Sequence, residues 1–240
     1  MRYIIAHKAE TRWEQGERPD AELITRVGEM IGRLSAAGVL QAGEGLGPTS
    51  KGVRIRFRAG AREVVHGPFE GAHELPASLT IVRTQTLDDA VAWATAQAAA
   101  LGDIDVDIRP VNEPWDIGLV AKPDGLDTTR YMVVRKADAA TEAGVEPTPT
   151  QRTSLAALID ETTRTGTHVV TERVRPSARG RRYLNTSNGI GVYDGPFAES
   201  KELLGGFVIV TGSSLDDVDR WVRDYIAAVG PREVDVLELA

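Results

Sequence analysis

A chain of 240 residues with 42% hydrophobic and 26% charged residues has the composition of a globular protein, and no apolar run reaches the length of a membrane-spanning helix. The formal net charge of −7 argues against nucleic acid as a partner, because phosphate binding calls for a basic face. The lack of cysteine excludes disulfides and thiolate catalysis, and the histidines do not have the spacing of a zinc helix. We therefore expect neither a cofactor nor a metal.

The hydrophobic pattern predicts seven elements in the first half of the chain. They are a strand at 3–8, a helix at 20–38, strands at 53–58, 63–65 and 79–82, a helix at 86–102 and a strand at 104–111. In the first predicted strand, charged residues follow a short apolar stretch, so we expect no secretory signal there and a cytoplasmic protein. Thr86 with Asp89, and Ser214 with Asp217, fit capping boxes, so these aspartates are interpreted as structural.

The second half repeats the first at an offset of 128 positions, since Arg2 falls on Arg130 and Pro68 falls on Pro196. About 30 of roughly 110 aligned positions are identical, which indicates an internal duplication. The predicted organisation is an N-terminal repeat at 1–111, a linker at 112–128 and a C-terminal repeat at 129–240.

Each half follows the order strand, helix, strands, helix, strand, which is the βαββαβ plan of the ferredoxin-like fold. The predicted class is α+β, with each half forming a sandwich that has its helices on one face of a sheet. Because the other face of each sheet also needs cover, we expect the two sheets to face each other within the chain.

The most distinctive string is residues 193–207, which reads YDGPFAESKELLGGF. It resembles the DGPF branch of the YCII-related family in its Asp-Gly-Pro-Phe, in the acidic and basic residues that follow, and in the Gly-Gly-Phe that opens the next strand. Residues 38–46 resemble the segment after the first helix in that family, and the likeness covers nearly all of both halves. The resemblance implies a dimeric α+β barrel, formed here by two halves of one chain.

The same resemblance bears on function. Some relatives are thought to be enzymes with a His–Asp pair in a pocket, one relative is a dehydrochlorinase, and members of the DGPF branch are associated with alternative sigma factors. This chain departs from the family because neither 20–37 nor 150–165 contains the histidine that relatives carry on or near the first helix.

The residues predicted to be catalytic are Asp194 and His66, which occupy equivalent positions in the two halves. A carboxylate at a strand end either accepts hydrogen bonds from the N–H groups of the turn or takes a proton from a substrate. His66 at the equivalent position favours the second interpretation, because imidazole is a poor turn cap and a good acid–base group. His73, after the first Gly-Pro-Phe, is predicted to be exposed.

The other candidate residues would line a pocket and bind the substrate. They are His7, Arg54, Phe69, Arg135, His168, Arg182 and Phe197. The three arginines would stabilise developing negative charge, and Phe197 would anchor its loop in the core. His168 is a candidate partner for Asp194. For His7 the alternative is a partly buried side chain with satisfied hydrogen bonds.

Two charged features have a structural and a functional interpretation. Glu44 and Glu172 recur with Arg54 and Arg182, which predicts structural ion pairs, with pocket lining as the alternative. The arginines within 173–182 are interpreted as a solvated loop, with an anion site as the alternative.

Two functions fit these observations. The first is a cofactor-independent acid–base enzyme that acts by elimination, isomerisation or cyclisation on a small oxygenated organic molecule near the Gly-Pro-Phe loops. The second is a non-catalytic ligand-binding or regulatory module linked to a transcription regulator. The expected partners are a small molecule and, for the module, a protein, without nucleic acid or a membrane. Because duplication replaces dimerisation, we expect a monomer.

Overall fold

The computed structural model describes residues 1–71, 74–197 and 203–240. His73 and residues 198–202 of the distinctive string therefore lie outside the described residues. No helix within the described ranges has both the length and the apolar character needed to cross a membrane.

Helices and strands follow the same order in both halves. They are β1 (Arg2–Lys8), α1 (Thr11–Glu14), α2 (Ala21–Ala36), β2 (Leu40–Gly45), β3 (Val53–Arg58), β4 (Ala61–His66), β5 (Pro76–Thr84), α3 (Leu87–Leu101), β6 (Asp105–Pro110), β7 (Thr129–Lys136), α4 (Ala139–Glu142), α5 (Pro149–Arg164), β8 (His168–Arg173), β9 (Arg181–Thr186), β10 (Gly189–Asp194), β11 (Leu204–Thr211), α6 (Leu215–Val229) and β12 (Glu233–Glu238).

The strands form two six-stranded antiparallel sheets. The first sheet has the order β10-β9-β12-β1-β11-β2, and the second has the equivalent order β4-β3-β6-β7-β5-β8. Apart from the added hairpins β9–β10 and β3–β4, each sheet is the four-stranded sheet of a ferredoxin-like unit with its two helices. The predicted α+β class with two ferredoxin-like repeats is confirmed.

Each sheet contains strands from both repeats, which differs from the expectation that each half forms its own sandwich. β1 and β2 of the first repeat pair with β11 of the second, while β7 and β8 of the second repeat pair with β5 of the first. The linker accounts for this arrangement, because it joins β6 to β7 and these two strands are neighbours in one sheet. β1 takes the equivalent place beside β12, where the Leu239 N–H donates to the Arg2 carbonyl.

Three apolar layers hold the sheets and helices together. One lies between the first sheet and the helices α2 and α6, and a second lies between the second sheet and the helices α3 and α5. The third lies between the two sheets. Alternate residues of β1 serve two layers, since Tyr3 and Ile5 face the helices while Ile4 and Ala6 face the other sheet.

The two sheets join at their edges and close into an α+β barrel. Past the end of β2, Leu46 forms an isolated bridge with Val111, and past the end of β8, Val174 forms one with Leu239. Each bridge links a strand of one sheet to a strand of the other, so the layer between the sheets is enclosed on both sides.

The paired aspartates at the helix starts are structural, as predicted. At α3 the Thr86 side chain and the Asp89 carboxylate form a complete capping box. At α6 Ser214 caps the Asp217 N–H, whereas the Asp217 carboxylate accepts from the backbone of Ser213 rather than from Ser214.

The strand exchange can be tested with engineered cysteines, because the chain has none of its own. Arg2 lies opposite Thr211 across β1 and β11, so the double variant R2C/T211C should form an intramolecular disulfide on mild oxidation. Mass spectrometry and gel mobility would detect it.

The matched control is R130C/T211C, since Arg130 is the equivalent of Arg2 in the second repeat and would lie opposite Thr211 if each half formed its own sheet. A disulfide in the control pair, with none in R2C/T211C, would contradict the exchanged arrangement.

Candidate functional site

Asp194 and His66 end β10 and β4, on the outer strands of different sheets. Both are exposed. The Asp194 carboxylate accepts from Arg181 Nε at 2.7 Å, and the same guanidinium binds Asp216 at 2.5 Å. The His66 side chain forms no hydrogen bond with any described residue. The structure therefore does not bring these two residues together, and neither contacts His168.

His168 has both ring nitrogens engaged. Nδ1 lies 3.1 Å from Thr163 Oγ1, and Nε2 lies 2.9 Å from Thr171 Oγ1. The ring also stacks on Trp93, with 6.3 Å between centroids, and burial lowers the pKa of His168. These contacts join α5 and α3 to the second sheet, so the environment of His168 is that of a packing residue.

Arg54 and Arg182 lie at the centre of two equivalent charged clusters on the inner faces of the sheets. Arg54 is 5% exposed and binds Asp107 through two hydrogen bonds of 2.7 and 2.8 Å. Arg182 binds Asp235 in the same way, at 2.6 and 2.9 Å. Each cluster includes a lysine from the other repeat: Lys8 lies 2.6 Å from Asp235.

These clusters correct the ion pairs predicted from the sequence. Arg54 and Arg182 do not pair with Glu44 and Glu172. The strand exchange instead places Arg130 against Glu44, at 2.6 Å, and Arg2 against Glu172.

The arginines within 173–182 are also not one solvated loop. They are spread over β8, the turn that follows and β9, and Arg182 is only partly exposed and ion-paired.

The phenylalanines of the two Gly-Pro-Phe loops lie against the arginines of these clusters. The Arg54 guanidinium carbon is 4.4 Å from the Phe69 ring centre, and that of Arg182 is 4.5 Å from the Phe197 ring centre. Phe197 also packs against the layer between the sheets, which agrees with its predicted anchoring role.

Glycine is required in both loops because the backbone passes very close to a neighbouring turn. A Cβ on Gly67 would lie 1.8 Å from the Thr49 carbonyl oxygen, and one on Gly195 would lie 1.9 Å from that of Ser177. The hydroxyls of these two neighbours then accept from the loop N–H groups at Phe69 and Phe197. The loops are thus tied to the turns after β2 and β8.

His7 has the environment most suited to acid–base chemistry. The side chain is partly exposed, and its Nδ1 lies 2.5 Å from the hydroxyl of Tyr225 on α6. Nε2 makes no hydrogen bond with any described residue. Burial, and then the charges of Lys8 and Arg109, lower the pKa of His7 to about 4, so the imidazole is neutral at physiological pH. Burial raises the pKa of Tyr225, which keeps its hydroxyl protonated.

Gly205 and Gly206 make room for the His7 ring. A Cβ on Gly205 would lie 2.8 Å from Nε2 of His7, and one on Gly206 would lie 2.8 Å from its Cε1. The Gly-Gly-Phe of the distinctive string therefore forms a flat backbone platform under the imidazole, and any larger residue would displace the ring.

Two cations flank His7 and are themselves paired. Arg109 is 3% exposed and donates to the carbonyls of Gly47 and Leu204 and to Glu14, at 2.8 Å for the carboxylate. Lys8 forms an ion pair with Asp235. Burial alone would raise the pKa of Asp235, but the positive charges of Lys8 and Arg182 hold this pKa below its ordinary value.

The second repeat has no equivalent imidazole. The residues at the 128-position offset are Arg135 for His7, Gln97 for Tyr225, and Ala77 and Ser78 for the two glycines. The two sheets therefore present different chemistry at the same place in the fold.

Two open surface pockets of about 390 and 560 Å³ lie beside Met1, and Arg181 and Asp216 line the first of them. Neither is lined by His7, Asp194 or His66. Side-chain chemistry, rather than the volume of these pockets, identifies the His7 site as the candidate.

Sequence reasoning missed Tyr225, Lys8, Asp235 and Arg109. The internal repeat could have identified Lys8 and Asp235, because the equivalent positions at the 128-residue offset are also a lysine, Lys136, and an aspartate, Asp107. Tyr225 and Arg109 do not recur, so the repeat gives no signal for them, and Tyr225 reaches His7 only because β1 lies in the sheet that α6 covers.

Two facing sheets backed by helices, with one charged cluster and one Gly-Pro-Phe loop in each repeat, define an internally duplicated α+β protein of the ferredoxin-like class. The model of the YCII-related domain matches residues 1–112 and 129–238. The chain therefore belongs to the YCII-related family and carries two copies of the domain in tandem. The comparison with curated proteins gave no match, and neither did the comparison with solved structures.

The environment of His7 predicts a pH-dependent stability. The folded pKa is about 4 and the ordinary value is 6.5, so the unfolded chain binds a proton that the folded chain excludes between these values. Wild type should lose stability as the pH falls from 6.5 to about 4, and this contribution should be constant above pH 6.5. The full shift corresponds to about 3 kcal/mol, and the partial exposure of His7 reduces it.

Urea unfolding at a series of pH values would measure the effect. His7→Gln should flatten the pH dependence of the unfolding free energy in this range, while His66→Gln, at an exposed histidine, should retain the wild-type slope. An unchanged slope in His7→Gln would contradict the assignment.

Proposed function

We propose that the chain is a cofactor-independent acid–base enzyme that acts by elimination, isomerisation or cyclisation on a small oxygenated organic molecule. The observation that carries the proposal is the neutral imidazole of His7, held at Nδ1 by Tyr225 and with no hydrogen bond from Nε2 to a described residue. His7 takes the role of base that the sequence assigned to Asp194 and His66, because those two residues do not converge on other acid–base groups.

The charges around His7 suit the formation of an anionic intermediate. Lys8 and Arg109 lower the pKa of His7 in the resting protein, and the same positive field stabilises negative charge on a substrate that loses a proton. Once the substrate is anionic, the attraction between it and the imidazolium favours the protonated ring. Proton transfer from an acidic carbon or hydroxyl to Nε2 is therefore the step that this site supports.

The fixed position of the ring supports the same role. Tyr225 on α6 and the glycine platform on β11 hold the imidazole from two sides, so little reorientation is needed when a proton moves. Lys8 connects the site through Asp235 and Arg182 to Phe197 of the second Gly-Pro-Phe loop. Substrate contacts by this loop are part of the proposal.

Membership of the DGPF branch and a cytoplasmic location belong to the same proposal. The string at 193–207 supports the branch, and the charged residues soon after the first apolar strand support the location.

A second candidate function is a non-catalytic binding module, linked to a transcription regulator. The observation that favours it is the exposure of apolar side chains on outer strands. Val169 and Val170 of β8 are 45% and 37% exposed, and Val192 and Tyr193 of β10 are 41% and 56% exposed. An outer strand of this kind can pair with an extended segment of another protein.

A thermal-shift screen of small oxygenated metabolites would test the enzyme proposal. A ligand that binds the folded state raises the melting temperature by mass action. We expect at least one compound to stabilise wild type and to lose most of this effect with His7→Gln, after which turnover of that compound should be measured across pH. Activity should fall as the pH drops towards about 4, where His7 takes up a proton.

The control is the double variant His66→Gln, Asp194→Asn, which alters the residues first predicted to be catalytic. It should retain ligand binding and turnover. Loss of turnover in this control with retention in His7→Gln would overturn the assignment of the base. A compound that binds through His7 but is never converted would favour the binding module.

A further inference from the structure

Arg135 occupies the place of His7 in the second repeat and lies in a row of polar residues across the second sheet. It pairs with Ser78 of β5, and Ser78 in turn pairs with Arg173 of β8. Val133, two residues earlier on β7, faces α3 and α5, so Arg135 lies on the same helix-covered face. The row therefore presents two guanidinium groups with a hydroxyl between them.

The Arg135 guanidinium has no partner among the described residues. Its Nε is buried without a hydrogen bond, and the group forms no ion pair within the described residues. Two more deeply buried cations behave differently, since Arg54 and Lys136 each bind carboxylates directly. An unpaired cation in a partly buried site is unfavourable, so its presence calls for an explanation.

A hydroxyl in this row and an amide oxygen on α3 also lack a hydrogen-bond partner among the described residues. Ser78 is 6% exposed, and its hydroxyl makes no hydrogen bond with a described residue. Gln97 is 2% exposed, its Oε1 has no partner among the described residues, and it is the residue of α3 that corresponds to Tyr225 at the 128-position offset. Three polar groups of the second sheet and α3 thus form no hydrogen bond with a described residue: Arg135 Nε, the Ser78 hydroxyl and the Gln97 amide oxygen.

The neighbouring carboxylates are already engaged. Asp138 is within range of the charge of Arg135, but its side chain caps α4 by accepting from the Thr141 N–H at 2.8 Å. Glu146 pairs with Arg173. Neither of these acids supplies a direct counter-ion for Arg135.

We propose that Arg135, with Ser78 and Arg173, binds the carboxylate or phosphate group of a small molecule. A planar guanidinium beside a hydroxyl matches the two acceptor oxygens that both groups present. The His7 site lacks these donors, because Gly206 and Gly45 of the first sheet stand where the second sheet has Ser78 and Arg173. This anion site is therefore specific to the second sheet, and it does not depend on the proposed role of His7.

Isothermal titration calorimetry of the full chain with inorganic phosphate and with acetate, at constant ionic strength set with sodium chloride, would test this site. We expect saturable binding of at least one of the two anions, and the tighter one identifies the group as phosphate or carboxylate. Arg135→Gln should weaken binding by about tenfold or more, and Ser78→Ala should weaken it by a smaller factor.

The matched control is Arg56→Gln, at an exposed arginine on β3 of the same sheet that pairs with Glu63 at 3.1 Å. It should bind the anion as wild type does. Arg135→Lys keeps the charge without the planar fork, and it should fold and bind several-fold more weakly, so the site can be tested even if Arg135→Gln is unstable. Equal binding by wild type and both Arg135 variants, or no saturable binding by wild type, would overturn the proposal.

Discussion

The pairing of β1 beside β12, and of β7 beside β6, is the constraint on which the rest of this structure depends. It places the first strand of each repeat in the middle of a sheet whose other central strands belong to the opposite repeat. Both faces of these strands are buried, one under helices and one under the other sheet, so each first strand takes part in two apolar layers at once. Neither ferredoxin-like unit is complete without the two strands that the opposite repeat supplies, so the two repeats depend on each other for their apolar layers.

The charged clusters follow from the same constraint. Asp107 and Asp235 are 3% and 1% exposed, and a buried carboxylate is strongly unfavourable unless it is paired. Each receives one cation from its own repeat, Arg54 or Arg182, and one from the exchanged strand, Lys136 or Lys8. A repeat folded alone would leave its aspartate with one counter-ion fewer. Buried ion pairs of this kind add little net stability, but they penalise pairing with the wrong strand.

The local pattern of the sequence was sufficient to predict most helices and strands, but it was insufficient to predict which strands lie next to each other. Alternation predicted β3 at its observed limits, and helical spacing predicted α2 from about Asp20, which the structure shows to be its N-cap. β2 was missed because its sequence, LQAGEG, has two glycines and no apolar alternation.

Which strand lies beside β1 is a long-range choice that side-chain alternation does not encode. The error in pairing Glu44 with Arg54 has the same origin, because Arg130 reaches Glu44 only when β7 lies in the second sheet.

Duplication within one chain allows the two equivalent sites to differ in sequence, which is not possible in a dimer of identical subunits. In a symmetric homodimer, a substitution that creates a base in one site creates it in both. Here the same row of the fold carries His7 over two glycines in one sheet and Arg135 beside Ser78 and Arg173 in the other. The residue on the first strand and the residue beside it differ together between the two sheets. An imidazole needs the space that glycine leaves, whereas an extended guanidinium tolerates Ser78 at the equivalent position. The guanidinium can also share an anion with a second arginine. One sheet thus carries a neutral group that can accept a proton, and the other carries a cation that lacks a counter-ion among the described residues. The strands that the two repeats share hold both groups in place.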